Sequence, residues 1–284
     1  MFSEDNRRWM ETYCPPVLEL LPIIRPPRGG GGCWGSFPAG GLQQGSSELG
    51  PEDTSKNIVE IIFQSSWLRK QSFSSSSSPI CKIDRILKVR NTPKTLSNFQ
   101  QYRDTIKSKS TKLPKKHPCC IADGNELLRF HSTTFVCSLG LNSSSNLCNS
   151  IPNCSVCSII TNGFKLPNDA GKGILTTATS GKAHDSAAAA AEEDGGGGGG
   201  GGDRRAMLVC RVIAGTVRKN GEGGGGDGEV VEEYDSLAVA AGVYSNLDEL
   251  YVFNPRAILP CFVVIYRGQI TYTLLEIWLN YRYS

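Results

Sequence analysis

Cysteines, one histidine set among hydroxyls, and runs of glycine are the residues of this 284-residue chain whose types and spacing could do chemistry. Cys154 and Cys157 form CSVC, a CxxC that offers two thiolates of a tetrahedral zinc site. Cys148 lies just upstream, and His117, Cys119 and Cys120 are further donors. Adjacent cysteines such as those of HPCC rarely both ligate one ion, and no second CxxC or HxxxH spacing completes the set. Reduced thiols on a helix and a loop are therefore expected, and zinc is not. His131, in NELLRFHSTT, follows an apolar run and precedes Ser132, Thr133 and Thr134. Nucleophilic hydrolysis is a poor reading of it. There is no GxSxG elbow, and neighbouring side chains on a strand point to opposite faces. The runs Gly195–Gly202 and Gly223–Gly226 lack the Lys-Ser/Thr ending and the strand-to-helix setting of a phosphate loop.

The elements that must position these residues are mostly strands. NIVEIIF (57–63) is short and β-branched and predicts a strand, as do IDRILKV, NELLRFH, GILTTA, RAMLVCRVIAGTV, DELYVFN and LPCFVVIYRG. Leu96, Phe99, Tyr102 and Ile106 recur at spacings of three and four behind Thr92 and Pro93, the signature of an amphipathic helix with its N-cap. SVCSIITNGF predicts a short helix closed by Gly163. Helices concentrated in the middle of a run of strands predict an α+β fold with a largely antiparallel sheet. Residues 1–52, with their Pro-Pro pairs and GGGG, are expected to form a disordered or weakly ordered leader. The Ser74–Ser78 block, and Gly/Ala-rich insertions at 187–203 and 221–228, are expected to be loops.

Bulk properties narrow the function. A formal charge of +3 is too small to argue for nucleic-acid binding, and the basic run from Arg103 to His117 is best read as a helix end with a solvated loop. No window is apolar enough for a membrane span and no signal layout opens the chain, so a soluble intracellular protein is expected. Cysteines within apolar stretches such as MLVCRVI and LPCFVVIY read as small core residues rather than a disulfide framework.

LLRFHSTT, SIITNGFKLP, GKGILTTATSGKA, AMLVCRVIAGTV and DELYVFNPRAILPCFVVIY also resemble, in the same order, the successive motifs of the poly(ADP-ribose) polymerase catalytic domain. The chain also resembles plant C2H2-like zinc-finger proteins that carry such an ADP-ribosyltransferase-like region, over about residues 53–267. The resemblance implies a split antiparallel sheet with short helices, and NAD as ligand or substrate. His131 would bond the nicotinamide ribose. Ser132 stands where the family has a glycine whose backbone meets the carboxamide, and Thr133 would support the same amide. Leu175 stands where the family has the tyrosine of its His-Tyr-Glu triad. Glu249 matches the catalytic glutamate when the alignment is anchored on Asn254 and Pro255.

Cleaving the glycosidic bond of NAD passes through an oxocarbenium-like state, which a carboxylate near the ribose and a locked nicotinamide stabilise. Leucine at 175 offers neither hydroxyl nor aromatic face. The resemblance therefore implies a catalytically degraded member acting as a nuclear interaction or regulatory module with a protein partner. The alternatives are an active NAD-dependent mono-ADP-ribosyltransferase and a zinc-stabilised structural or nucleic-acid-binding protein. The finger of the plant look-alikes is missing: CWGSFPAGGLQQG has no paired Cys and His, so this chain does not support nucleic-acid contact. The tail, 268–284, has no counterpart.

Overall fold

The computed structural model describes residues 45–71, 81–113, 117–140, 146–148, 154–167, 171–193, 204–219, 234–239 and 248–268. The glycine runs, the Ser74–Ser78 block and the tail beyond Gly268 lie outside them. Among the described residues nine strands make one sheet: β1 (Gly45–Glu48), β2 (Cys81–Arg90), β3 (Glu126–Thr133), β4 (Ile174–Thr177), β5 (Arg204–Ile213), β6 (Val217–Lys219), β7 (Ser236–Val239), β8 (Glu249–Val252) and β9 (Ile258–Gly268). Their spatial order is β1-β2-β9-β5-β3-β4-β8-β7-β6, antiparallel except where β6 meets β7. The α-helices among the described residues are α1 (Thr54–Gln71), α2 (Pro93–Lys112), α3 (Pro118–Asp123), α4 (Ser155–Asn162) and α5 (Ser180–Glu193). The fold class is α+β.

Two cores cover the two faces of the sheet, and strand alternation sorts residues between them. On one face, Leu208, Cys210, Val263 and Ile265 pack with Phe99 and Ile106 of α2, Cys120 of α3, and Val156, Cys157 and Ile160 of α4. On the other, Met207, Val209, Phe262, Val264 and Tyr266 pack with Val59, Phe63 and Trp67 of α1 and Ala183 of α5. Burial of Cys210 and Cys261 agrees with their reading as core residues. Cys119 departs from the reduced-thiol expectation, being disulfide-bonded.

Helix α2 begins as the sequence predicts, with Thr92 Oγ1 accepting from the Thr95 amide at 3.1 Å and Pro93 in the first turn. Three readings need correction. NIVEIIF is helical, inside α1. Its β-branched residues give way to a stripe at spacing four, Val59, Phe63 and Trp67, all nearly inaccessible and all facing the sheet. The segment read as a leader contains β1, which pairs with β2 and carries Glu48 to Arg85. The alanine tract continues α5 rather than forming a loop, as alanine's helix propensity allows once Ser180–Asp185 has nucleated the turn.

Strand β3 is aimed by the turn before it. Gly124 (φ 79°) and Asn125 (φ 58°) both adopt left-handed backbone, and the Gly124 amide closes α3 onto the Cys120 carbonyl at 3.0 Å. Glu126, the first residue of β3, is fully buried; it bonds Arg211 of β5 and lies 3.6 Å from Arg103 of α2. That cluster ties the start of the strand to β5 and to α2.

Candidate functional site

The sheet is weakest where β3 meets β4. Along β5, strand β3 pairs through its whole length, from Glu126↔Ile213 to Thr133↔Ala206. Toward β4 the only register pair is Phe130↔Thr177. A continuous ladder would also have matched Ser132 with Leu175; instead the strands part. His131 spans the opening. Its Nδ1 lies 2.8 Å from the Leu175 carbonyl oxygen, so an imidazole replaces the absent backbone bond.

The geometry fixes the tautomer, because a carbonyl can only accept. Nδ1 carries the proton and Nε2 is left as an acceptor. Burial pushes the His131 pKa below the ordinary imidazole value, and the Leu175 carbonyl offsets only part of that, so the neutral form prevails near neutral pH. The Phe164 ring stands edge-on to the imidazole at 5.1 Å, delivered by the left-handed Gly163 (φ 83°) that ends α4. Arg129, on the same face of β3 two residues earlier, is 2 % exposed, and its Nε and Nη2 have no hydrogen-bond partner among the described residues. Burial lowers that guanidinium to about 10, against the pull of Asp248.

The other expected site residues divide between the faces. Thr133 follows His131 on the same face and is half-buried. Ser132 points the other way, toward the phenol of Tyr266, which lies 3.0 Å from His184 Nδ1. The Ser132 side chain thus faces the aromatic core and turns away from the His131 side. Leu175 and Thr177 pair with Tyr251 and Glu249 of β8. Cross-strand partners share a face, so Glu249 and Leu175 lie on the Phe130 side while the His131 ring leaves the opposite one. The Glu249 carboxylate is held by α5, 3.1 Å from Lys182 Nζ and 3.4 Å from Ser186 Oγ. The structure brings His131 to Leu175, and Glu249 to Lys182.

Arg129, Phe164, Lys182 and Tyr251 were not singled out from the sequence. Arg129 had a usable signal, because a charged residue two positions from His131 in an apolar strand must share its face. Tyr251 puts a half-buried aromatic ring across from Leu175, and burial next to the Glu249 carboxylate raises its phenol.

A second constellation lies beside the first. Cys154 is the N-cap residue of α4 and Cys157 stands one turn on, and their sulfurs meet those of Cys137 and Cys148. All four Sγ atoms lie within 4.8 Å of one another. Cys137 Sγ is 3.5 Å from that of Cys154 and 3.7 Å from that of Cys157. The partners of the CxxC are therefore Cys137 and Cys148, while His117, Cys119 and Cys120 belong to α3 and its N-cap. Cys137 escaped notice because its distance along the chain matches no familiar ligand spacing. Burial alone would raise the Cys154 thiol, but amide N–H groups of Val136 and Cys157 and the neighbouring thiols bring it down to about 7.

Among the described residues no helix is long and apolar enough to cross a membrane. No protein-family model matches the chain, and no curated protein matches it.

Proposed function

We propose that this protein is an ADP-ribosyltransferase-fold module with a degraded NAD site, acting in the nucleus as an interaction or regulatory module for a protein partner. The observation that carries the reading is the opening between β3 and β4, bridged by His131 Nδ1–H to the Leu175 carbonyl. It supports a split sheet of the kind that the motif order implies. It also leaves Nε2 as a fixed acceptor, the group needed to receive a ribose hydroxyl. The Phe164 edge and Thr133 stand near it on the same face.

The chemistry of transfer is less well provided for. Leucine at 175 gives a nicotinamide ring no aromatic face. The Glu249 carboxylate that should stabilise an oxocarbenium-like ribose is neutralised by Lys182 and starts from the opposite face to His131. Binding without turnover follows from that arrangement.

Titration calorimetry with NAD and with nicotinamide, run beside label transfer from biotinylated NAD, tests the proposal. The expected result is measurable NAD binding that His131→Ala abolishes, with no label transfer. Label transfer that His131→Ala removes would establish the active enzyme instead. Absence of any NAD or nicotinamide binding would overturn the NAD-site assignment altogether.

A further inference from the structure

We propose that Cys137, Cys148, Cys154 and Cys157 form a structural zinc site that pins the end of the His131 strand to helix α4. The sulfurs arrive from three separate stretches: the segment after β3, the segment around residue 148, and the first turn of α4. Zinc–sulfur bonds of about 2.3 Å put the corners of a tetrahedron about 3.8 Å apart. The 3.5 and 3.7 Å separations at Cys137 match that edge, and no sulfur of the set lies more than 4.8 Å from another. These are far longer than a disulfide of about 2.0 Å, and all four cysteines are free. Four thiols are poor partners for one another, each a weak donor and a weak acceptor, so their convergence has little packing rationale without a cation. An all-thiolate tetrahedron selects zinc among the common divalent ions, and four protein ligands leave no open coordination position.

The surroundings suit the charge such a site would carry. Four thiolates around a divalent ion leave a net charge of minus two, the four thiol protons passing to solvent. A backbone N–H already meets one of the sulfurs, the Leu139 amide donating to Cys137 Sγ at 3.5 Å. Such amide-to-sulfur bonds are the outer shell that orients thiolate ligands.

The position explains what the metal would hold. Just outside the four sulfurs, Thr134 Oγ1 donates to Ser155 Oγ at 2.8 Å, and the Val156 amide donates to the Thr134 carbonyl at 3.2 Å. Zinc would lock that junction, and with it the helix whose far end delivers Phe164 to His131. The site does not depend on the NAD reading.

The test uses the full chain, purified under reducing conditions without chelator. Elemental analysis should give one zinc per chain, and replacement by cobalt should give the sulfur-to-metal charge-transfer bands of a tetrahedral thiolate site. Cys148→Ser should reduce the zinc to a trace, whereas Cys81→Ser, on the other face of the sheet, should keep it. If Cys148→Ser fails to fold, the cobalt spectrum of the unaltered chain decides alone. Zinc well below one per chain, bound iron in its place, or a disulfide among these four cysteines would overturn the assignment.

Discussion

Replacing His131 by glutamine and following both proteins through mild acid isolates the energetic signature of the imidazole at the β3–β4 opening. Glutamine keeps an N–H for the Leu175 carbonyl but does not titrate. In the folded chain burial holds the His131 pKa below the ordinary value, so between that lowered pKa and about 6.5 the unfolded chain binds more protons than the folded one. Stability must then rise with pH across that window. The contribution is fully present above about pH 7, is lost as pH falls below about 6.5, and levels off once the folded imidazole itself is protonated. The limiting slope is about 1.4 kcal/mol per pH unit, and integrating it through the curved region near 6.5 gives up to about 1 kcal/mol lost between pH 6.5 and 5.5. At about 2 kcal/mol per molar urea, the unaltered protein's unfolding midpoint should drop by up to about half a molar more than that of His131→Gln over the same interval. Titrations shared by the two proteins cancel in the comparison. Parallel curves, or a midpoint that holds up better in the unaltered protein on acidification, would show that the ring is well hydrated or charged in the folded state.

Phe63 is wholly inaccessible and packs its ring against Trp67, Phe130 and Tyr266 at centroid distances of 6.3, 6.2 and 5.1 Å, so Phe63→Ala should cost about 3–5 kcal/mol in urea unfolding. A loss under about 1 kcal/mol would mean that α1 is not seated on the sheet as described. Glu126→Gln leaves Arg211 buried without its counter-charge and should cost about 3–5 kcal/mol by the same assay, whereas pairing Glu126→Leu with Arg211→Met should recover most of that loss. Equal stabilities of the single and paired variants would refute the electrostatic account.

What the chain's order made legible was local. The Thr92–Pro93 start of α2, the glycine that ends α4 and the apolar runs of β5 and β9 each carry their signal within a few residues, and each formed as predicted. Helix α1 was misread because Ile58, Val59, Ile61 and Ile62 favour extended backbone in isolation. The stripe that overrides them needs a sheet to lie against, and that sheet is built from residues far along the chain. The same distance hid the cysteine cluster. CSVC announces a pair of thiols by spacing, but Cys137 reaches them only because β3 ends where α4 begins. The division of His131 and Glu249 between faces was likewise invisible, since it follows from one register pair, Phe130↔Thr177, that no sequence pattern specifies.

The order of the strands bears on how the molecule is made. Strand β9 is last in sequence among the described strands, yet it sits between β2 and β5, paired along both edges, with every residue but Arg267 buried. While the chain is emerging from the ribosome, β2 and β5 have no shared neighbour, and each presents an open hydrogen-bonding edge. Native closure must wait until the residues around Gly268 are free of the exit tunnel. Until then, the two apolar edges are exposed to other nascent chains and to chaperones. A premature stop anywhere before β9 would therefore remove the keystone of the sheet and leave two sticky halves, making β9 the checkpoint for productive folding.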